Sequence, residues 1–197
     1  MGENEKIFID HVKATCKEYG IKCDLRNTKY VRVGPKQSGS GYFDEEGKVL
    51  VVAMKKTDYL GILVHEYAHL TQYVDQCDAW VNGISSYIKM NDWLNGVDNS
   101  NIDNHIALAR DLELDNEKRS VKIIKKFNLP IDIKEYTKRA NAYVQFYNYM
   151  MITRRWSDPK NSPYNNKRII EAMPDRFNMD YTVLPKKLLK IFIEEKI

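Results

Sequence analysis

The chain has 197 residues, 43% of them hydrophobic and 29% charged, with 9 Gly and 6 Pro. That composition is ordinary for a globular domain and excludes collagen-like and Pro/Gly-rich disordered classes. The net charge of +4 is uneven: residues 1–117 hold 13 Lys+Arg and 19 Asp+Glu, net −6, and residues 118–197 hold 18 and 8, net +10.

The longest apolar run, 49–54, has six residues. It is far too short to span a bilayer, so no membrane partner is expected. The first residues, MGENEK, lack the basic-then-apolar order of a secretory leader. Cys16, Cys23 and Cys77 are odd in number and form no CxxC pair. A reducing, cytoplasmic setting without disulfides is therefore expected.

Taken in chain order, residues 4–19 place Ile7, Phe8, Val12, Cys16 and Tyr19 at helical spacing, and Gly20 can close that helix. Residues 21–33 predict two short strands around Arg26-Asn27, followed by a Gly/Ser-rich turn over 34–41. A turn at 44–47 leads into the β-branched run 48–54, read as a buried strand. Thr57 or Asp58 can cap a helix over 58–77. Residues 79–103, with Gly83, Asn95-Gly96 and a run of Asp, Asn and Ser, predict a short helix and then a loop. Residues 104–127 are helical in period and end at Asn128-Leu129-Pro130. Asp132 can cap a long helix to about 155, and shorter helices are expected near 166–172 and 185–195. Helix, small sheet, then mostly helices argues α+β, and the length fits one domain.

The informative segment is His65-Glu66-Tyr67-Ala68-His69, an HExxH pattern. A shuffled chain of this composition contains one about 0.5% of the time. On a helix the two imidazoles project about 40° apart, close enough to reach one metal ion. Glu66 lies about 100° from His65, where it can act as base on metal-activated water without ligating. Leu60, Leu63, Tyr67, Leu70 and Val74 fall on the opposite side, so the helix packs with its back and presents histidines from its front. Gln72 and Gln76 continue the front face with polar groups.

A catalytic zinc takes three protein ligands and keeps one open position. His11, His105 and the acids of 109–117 are the candidates. On the helical wheel Glu113 and Glu117 share a face with Ile106, Ala109, Ser120 and Ile124, whereas Asp111 and Asp115 lie with Lys118 and Lys122 on the solvent side. Two carboxylates on a buried face need a cation or donors to compensate them. Glu113 is the preferred third ligand, and Glu117 is placed to accept a ligand histidine N–H; the two roles are exchangeable. Pairing of these acids with Arg110 and Arg119 in a structural network is the competing account. Tyr143, Tyr147, His105, Arg154 and Arg155 are candidates for steadying an oxyanion, and none is assigned.

At these residues the chain resembles the zincin metallopeptidases, and within them the Glu-ligand, gluzincin-type branch. The resemblance rests on His65-Glu66-x-x-His69 and Glu113-x-x-x-Glu117. That branch often carries Asp where Glu117 stands, and the third histidine of the metzincin pattern is absent, with Asp75 in its place. Residues 48–125 also look similar to small metallopeptidase-like proteins encoded by bacteriophages and other viruses. The resemblance implies a zincin-like α+β domain over 1–197, with a small, mainly antiparallel sheet against the HExxH helix. Its parts would be an N-terminal helix and sheet (1–57), metal-binding helices (58–127) and a basic helical C-terminal part (128–197).

It further implies one zinc per chain on His65, His69 and Glu113, with Glu66 as general base in hydrolysis of a peptide or protein. Were the chain virus-encoded, its compartment would be the host cytoplasm. The competing readings are a metal-binding protein without activity and a nucleic-acid-associated protein using the basic C-terminal part. No nucleic-acid motif accompanies that charge, so a solvated basic face is favoured over nucleic-acid binding.

Overall fold

The computed structural model describes residues 1–33 and 38–197. Residues 34–37 of the expected Gly/Ser-rich turn lie outside the described residues. The protein is α+β and mostly helical, with seven α-helices and a small mixed sheet among the described residues. The elements are α1 (Glu3–Glu18), β1 (Lys22–Arg26), β2 (Val31–Arg32), β3 (Ser38–Gly39), β4 (Gly41–Asp44), β5 (Val49–Ala53), α2 (Tyr59–Asp75), α3 (Asp78–Leu94), α4 (Ile102–Lys126), α5 (Ile133–Thr153), α6 (Lys167–Ala172) and α7 (Lys186–Glu194). Among the described residues no helix is long and apolar enough to cross a membrane.

The chain divides into two compact units. The first comprises Met1–Cys77 and Arg119–Ile131. Its sheet has the order β1-β5-β4. β5 pairs parallel to β1, with Lys22 opposite Val49, and antiparallel to β4, with Gly41 opposite Val52. The sheet is thus mixed rather than mainly antiparallel. The turn at 44–47, where Gly47 N–H donates to Asp44 Oδ1 at 2.9 Å, makes β4 and β5 a hairpin. β1 reaches the far side of β5 from α1 and runs with it, a non-local pairing that local pattern does not encode.

Leu50, Val51, Val52 and Ala53 are all fully buried, as expected of a central strand covered on both faces. α2 packs on β4 and β5, and α1 on β1. The apolar back of α2 (Leu60, Leu63, Tyr67, Leu70) is buried with Phe8 and Val12 of α1. The Phe8 ring stands edge-on to Tyr67 at 5.7 Å and tilted against Phe127 at 5.1 Å.

The second unit comprises Asp78–Lys118 and Asp132–Ile197. Its core gathers Met90, Ile106, Ala109, Ala142, Phe146, Tyr147, Met150, Ile169, Leu188 and Phe192. Asp132 caps α5 as expected, accepting from the N–H groups of Lys134 and Glu135 at 2.9 and 3.1 Å. Buried amides on α5 hold the segment that follows α6. Asn141 donates to the carbonyls of Pro174 and Arg176, Gln145 to that of Asp180, and Asn148 to that of Tyr181.

α3 is a 17-residue helix where a short one was expected. The reason is Gly83, which is a contact residue and not a breaker. A Cβ there would meet Leu112 Cβ at 2.8 Å and the Leu108 carbonyl oxygen at 3.0 Å, so its bare backbone lets α3 lie close against α4.

His11 gives the first unit a pH signature. Its Nε2 lies 2.9 Å from Tyr67 Oη, and its ring packs on Phe127 at 4.9 Å. Burial, and then the charge of Lys126, lower its pKa. The folded state therefore binds this proton less tightly than the unfolded state. The stabilisation is complete above the ordinary imidazole value of about 6.5 and is lost as pH falls through the lower folded value. Urea midpoints at pH 8 and pH 5 should fall more for the wild type than for His11→Gln. Equal falls would contradict this assignment.

Candidate metal centre

The site is assembled on α2 and α4. On α2 the buried back fixes the helix rotation, which leaves His65, Glu66 and His69 on the opposite, half-buried face. The rings of His65 and His69 lie 4.8 Å apart and nearly perpendicular, at 88°. β4 crosses close beside them. A Cβ at Gly41 would sit 2.9 Å from Ile62 Cγ2, 3.0 Å from the Val51 carbonyl oxygen and 3.1 Å from Glu66 Cγ. Glycine here brings the backbone of the edge strand against the side chain of Glu66.

Gln72, fully buried, is the partner of His69. Its Oε1 stands 2.9 Å from His69 Nδ1. A carbonyl oxygen only accepts, so Nδ1 carries the proton and Nε2 keeps its lone pair for a ligand. Burial, and then the nearby His65, hold His69 well below the ordinary imidazole range, while the bond to Gln72 opposes that shift. The neutral ring is the form that binds a cation.

On α4, Glu113 and Glu117 are 3% and 5% exposed, on the buried face the wheel assigned to them, whereas Asp111 is exposed. Glu113 Oε1 accepts from the hydroxyl of Tyr87, on α3 one turn after Gly83. Its Oε2 is buried. Glu117 Oε2 accepts from Tyr136 Oη at 2.7 Å. Arg110 binds Asp111 and Asn148, and Arg119 pairs with Asp75 at 2.5 Å.

One ligand atom each of His65, His69 and Glu113 lie within 4.8 Å of one another, a group that could hold a metal ion. Two imidazoles and a carboxylate are a donor set that fits zinc and other first-row divalent ions. Of the other candidate ligands, His11 stands at Tyr67, and His105 Nδ1 at Ser86 Oγ, 3.1 Å away. Arg154 is engaged with the Trp93 carbonyl and Asp98, and Arg155 is exposed. Tyr147 is fully buried, and its hydroxyl stands 2.6 Å from that of Tyr87 and 3.2 Å from that of Tyr143.

Sequence reasoning gave no role to Gln72 and did not single out Tyr87. The available signals were His69-x-x-Gln72, one turn apart on α2, and Gly83-x-x-x-Tyr87, which puts a phenol on the same face as a close-contact glycine. Comparison with known protein families, curated proteins and solved structures finds no match to this chain.

The approach of α3 to α4 is testable. Gly83→Val should destabilise the protein by about 1–3 kcal/mol through overpacking, against a helix-propensity gain of under about 1 kcal/mol. Denaturant unfolding measures it, and an unchanged or raised midpoint would contradict the close contact.

Proposed function

We propose that this chain is a metal-dependent peptidase of zincin-like design. In this reading His65, His69 and Glu113 hold one divalent cation, most naturally zinc, and Glu66 is the general base. The observation that carries it is the convergence of those three ligand atoms within 4.8 Å, two of them on the helix that also offers Glu66. A cation compensates a carboxylate that is 3% exposed, which hydrophobic packing cannot do.

A cation held there supplies Lewis acidity, polarising a carbonyl and acidifying water towards neutral pH. Glu66 takes the proton of the attacking water and passes it to the leaving amine. Gln72 keeps the His69 lone pair on Nε2. β4 lies at the edge of the three-stranded sheet, beside Glu66. An extended peptide added along that edge would run past the base, and this favours a peptide substrate over a small molecule.

Zinc removal by a chelator should abolish cleavage of a mass-spectrometric peptide library, and zinc should restore it. Glu66→Gln should retain zinc and lose at least about 100-fold in turnover. Surviving turnover would remove Glu66 from the mechanism, and no cleavage by the zinc-loaded wild type would contradict the peptidase reading. Glu113→Ala should weaken zinc retention more than Glu117→Ala, and the reverse order would exchange their roles.

A further inference from the structure

We infer that Tyr87 is a positioning residue for the metal centre, fixing the Glu113 carboxylate in the orientation that a cation requires. The inference rests on the metal-site reading above and adds the residue that orients its acidic ligand. A carboxylate can only accept, so the Tyr87 hydroxyl donates to Glu113 Oε1. With its proton committed, the Tyr87 oxygen is the acceptor for Tyr147 Oη, 2.6 Å away. Tyr147 in turn lies 3.2 Å from Tyr143 Oη. Glu113 thus sets the polarity of a chain of three phenols, all donating towards one carboxylate.

The chain is anchored rather than mobile. Tyr147 is fully buried among Ile106, Phe146 and Met150, and Tyr87 packs against the same cluster. Gly83, one turn before Tyr87, sets the distance between α3 and α4 that the hydroxyl must bridge. Holding Oε1 fixes the rotation of the carboxylate plane, and with it the direction in which Oε2 points. A phenol fixed at both ends therefore presents a preorganised ligand, where a free glutamate would lose rotamer entropy on binding a cation.

Zinc affinity of the full chain, by competition with a chromophoric chelator, tests this. Tyr87→Phe should weaken binding about 10–100-fold with the circular dichroism of the metal-free protein unchanged. On a Glu113→Gln background the same substitution should change affinity by less than about two-fold, because its effect runs through the carboxylate. Equal zinc affinity of wild type and Tyr87→Phe would overturn the role of Tyr87 and leave the metal site standing. An equally large loss on both backgrounds would also overturn it, since the effect would then bypass Glu113. A wild-type chain that binds no zinc would overturn the metal site and this inference together. Should Tyr87→Phe not fold, Tyr147→Phe carries the test. A loss of roughly a few-fold supports the relay, and unchanged affinity overturns it.

Discussion

A carboxylate shut away from water must meet donors or a cation, and α4 carries two of them. Glu113 and Glu117 are almost wholly buried on one face of that helix. Each meets a phenol, Tyr87 for Glu113 and Tyr136 for Glu117. A neutral phenol satisfies one oxygen but brings no countercharge. A divalent ion, which the group of His65, His69 and Glu113 could hold, would bring that countercharge and link the fold of this region to its proposed chemistry.

α2 serves two purposes with one periodicity. Leu60, Leu63, Tyr67 and Leu70 close the core of the first unit, and the same rotation presents His65, Glu66 and His69. Rigidity of the back is what gives the front its geometry. The imidazole tautomer is set inside the same helix, by Gln72 three residues after His69. Gly41 brings an edge strand to Glu66, the proposed base, without a side chain of its own intervening. The His69–Gln72 contact is local to α2, whereas the approach of Gly41 to Glu66 joins β4 to α2.

The elements with strong local periodicity were legible in the sequence. α1, α2, α4 and α5 fall within a few residues of their expected bounds, and β5 is the buried strand that its β-branched run predicted. The shared face of Glu113 and Glu117 followed from helical geometry alone. What local pattern could not carry was pairing between distant segments. β1 runs parallel to β5, so the sheet is mixed. Gly83 reads as a breaker until Leu112 is seen against it. Tyr87 is one of 13 tyrosines, and nothing local distinguishes a phenol that meets a buried carboxylate from one that only packs.

X-ray absorption at the zinc edge of the metal-loaded chain addresses the central claim directly. The account predicts an inner shell of nitrogen and oxygen at about 2.0–2.1 Å with the multiple scattering of two imidazoles. Loss of one oxygen scatterer in Glu113→Ala should follow. A sulfur shell at about 2.3 Å, or a shell without imidazole scattering, would contradict the His65, His69 and Glu113 centre.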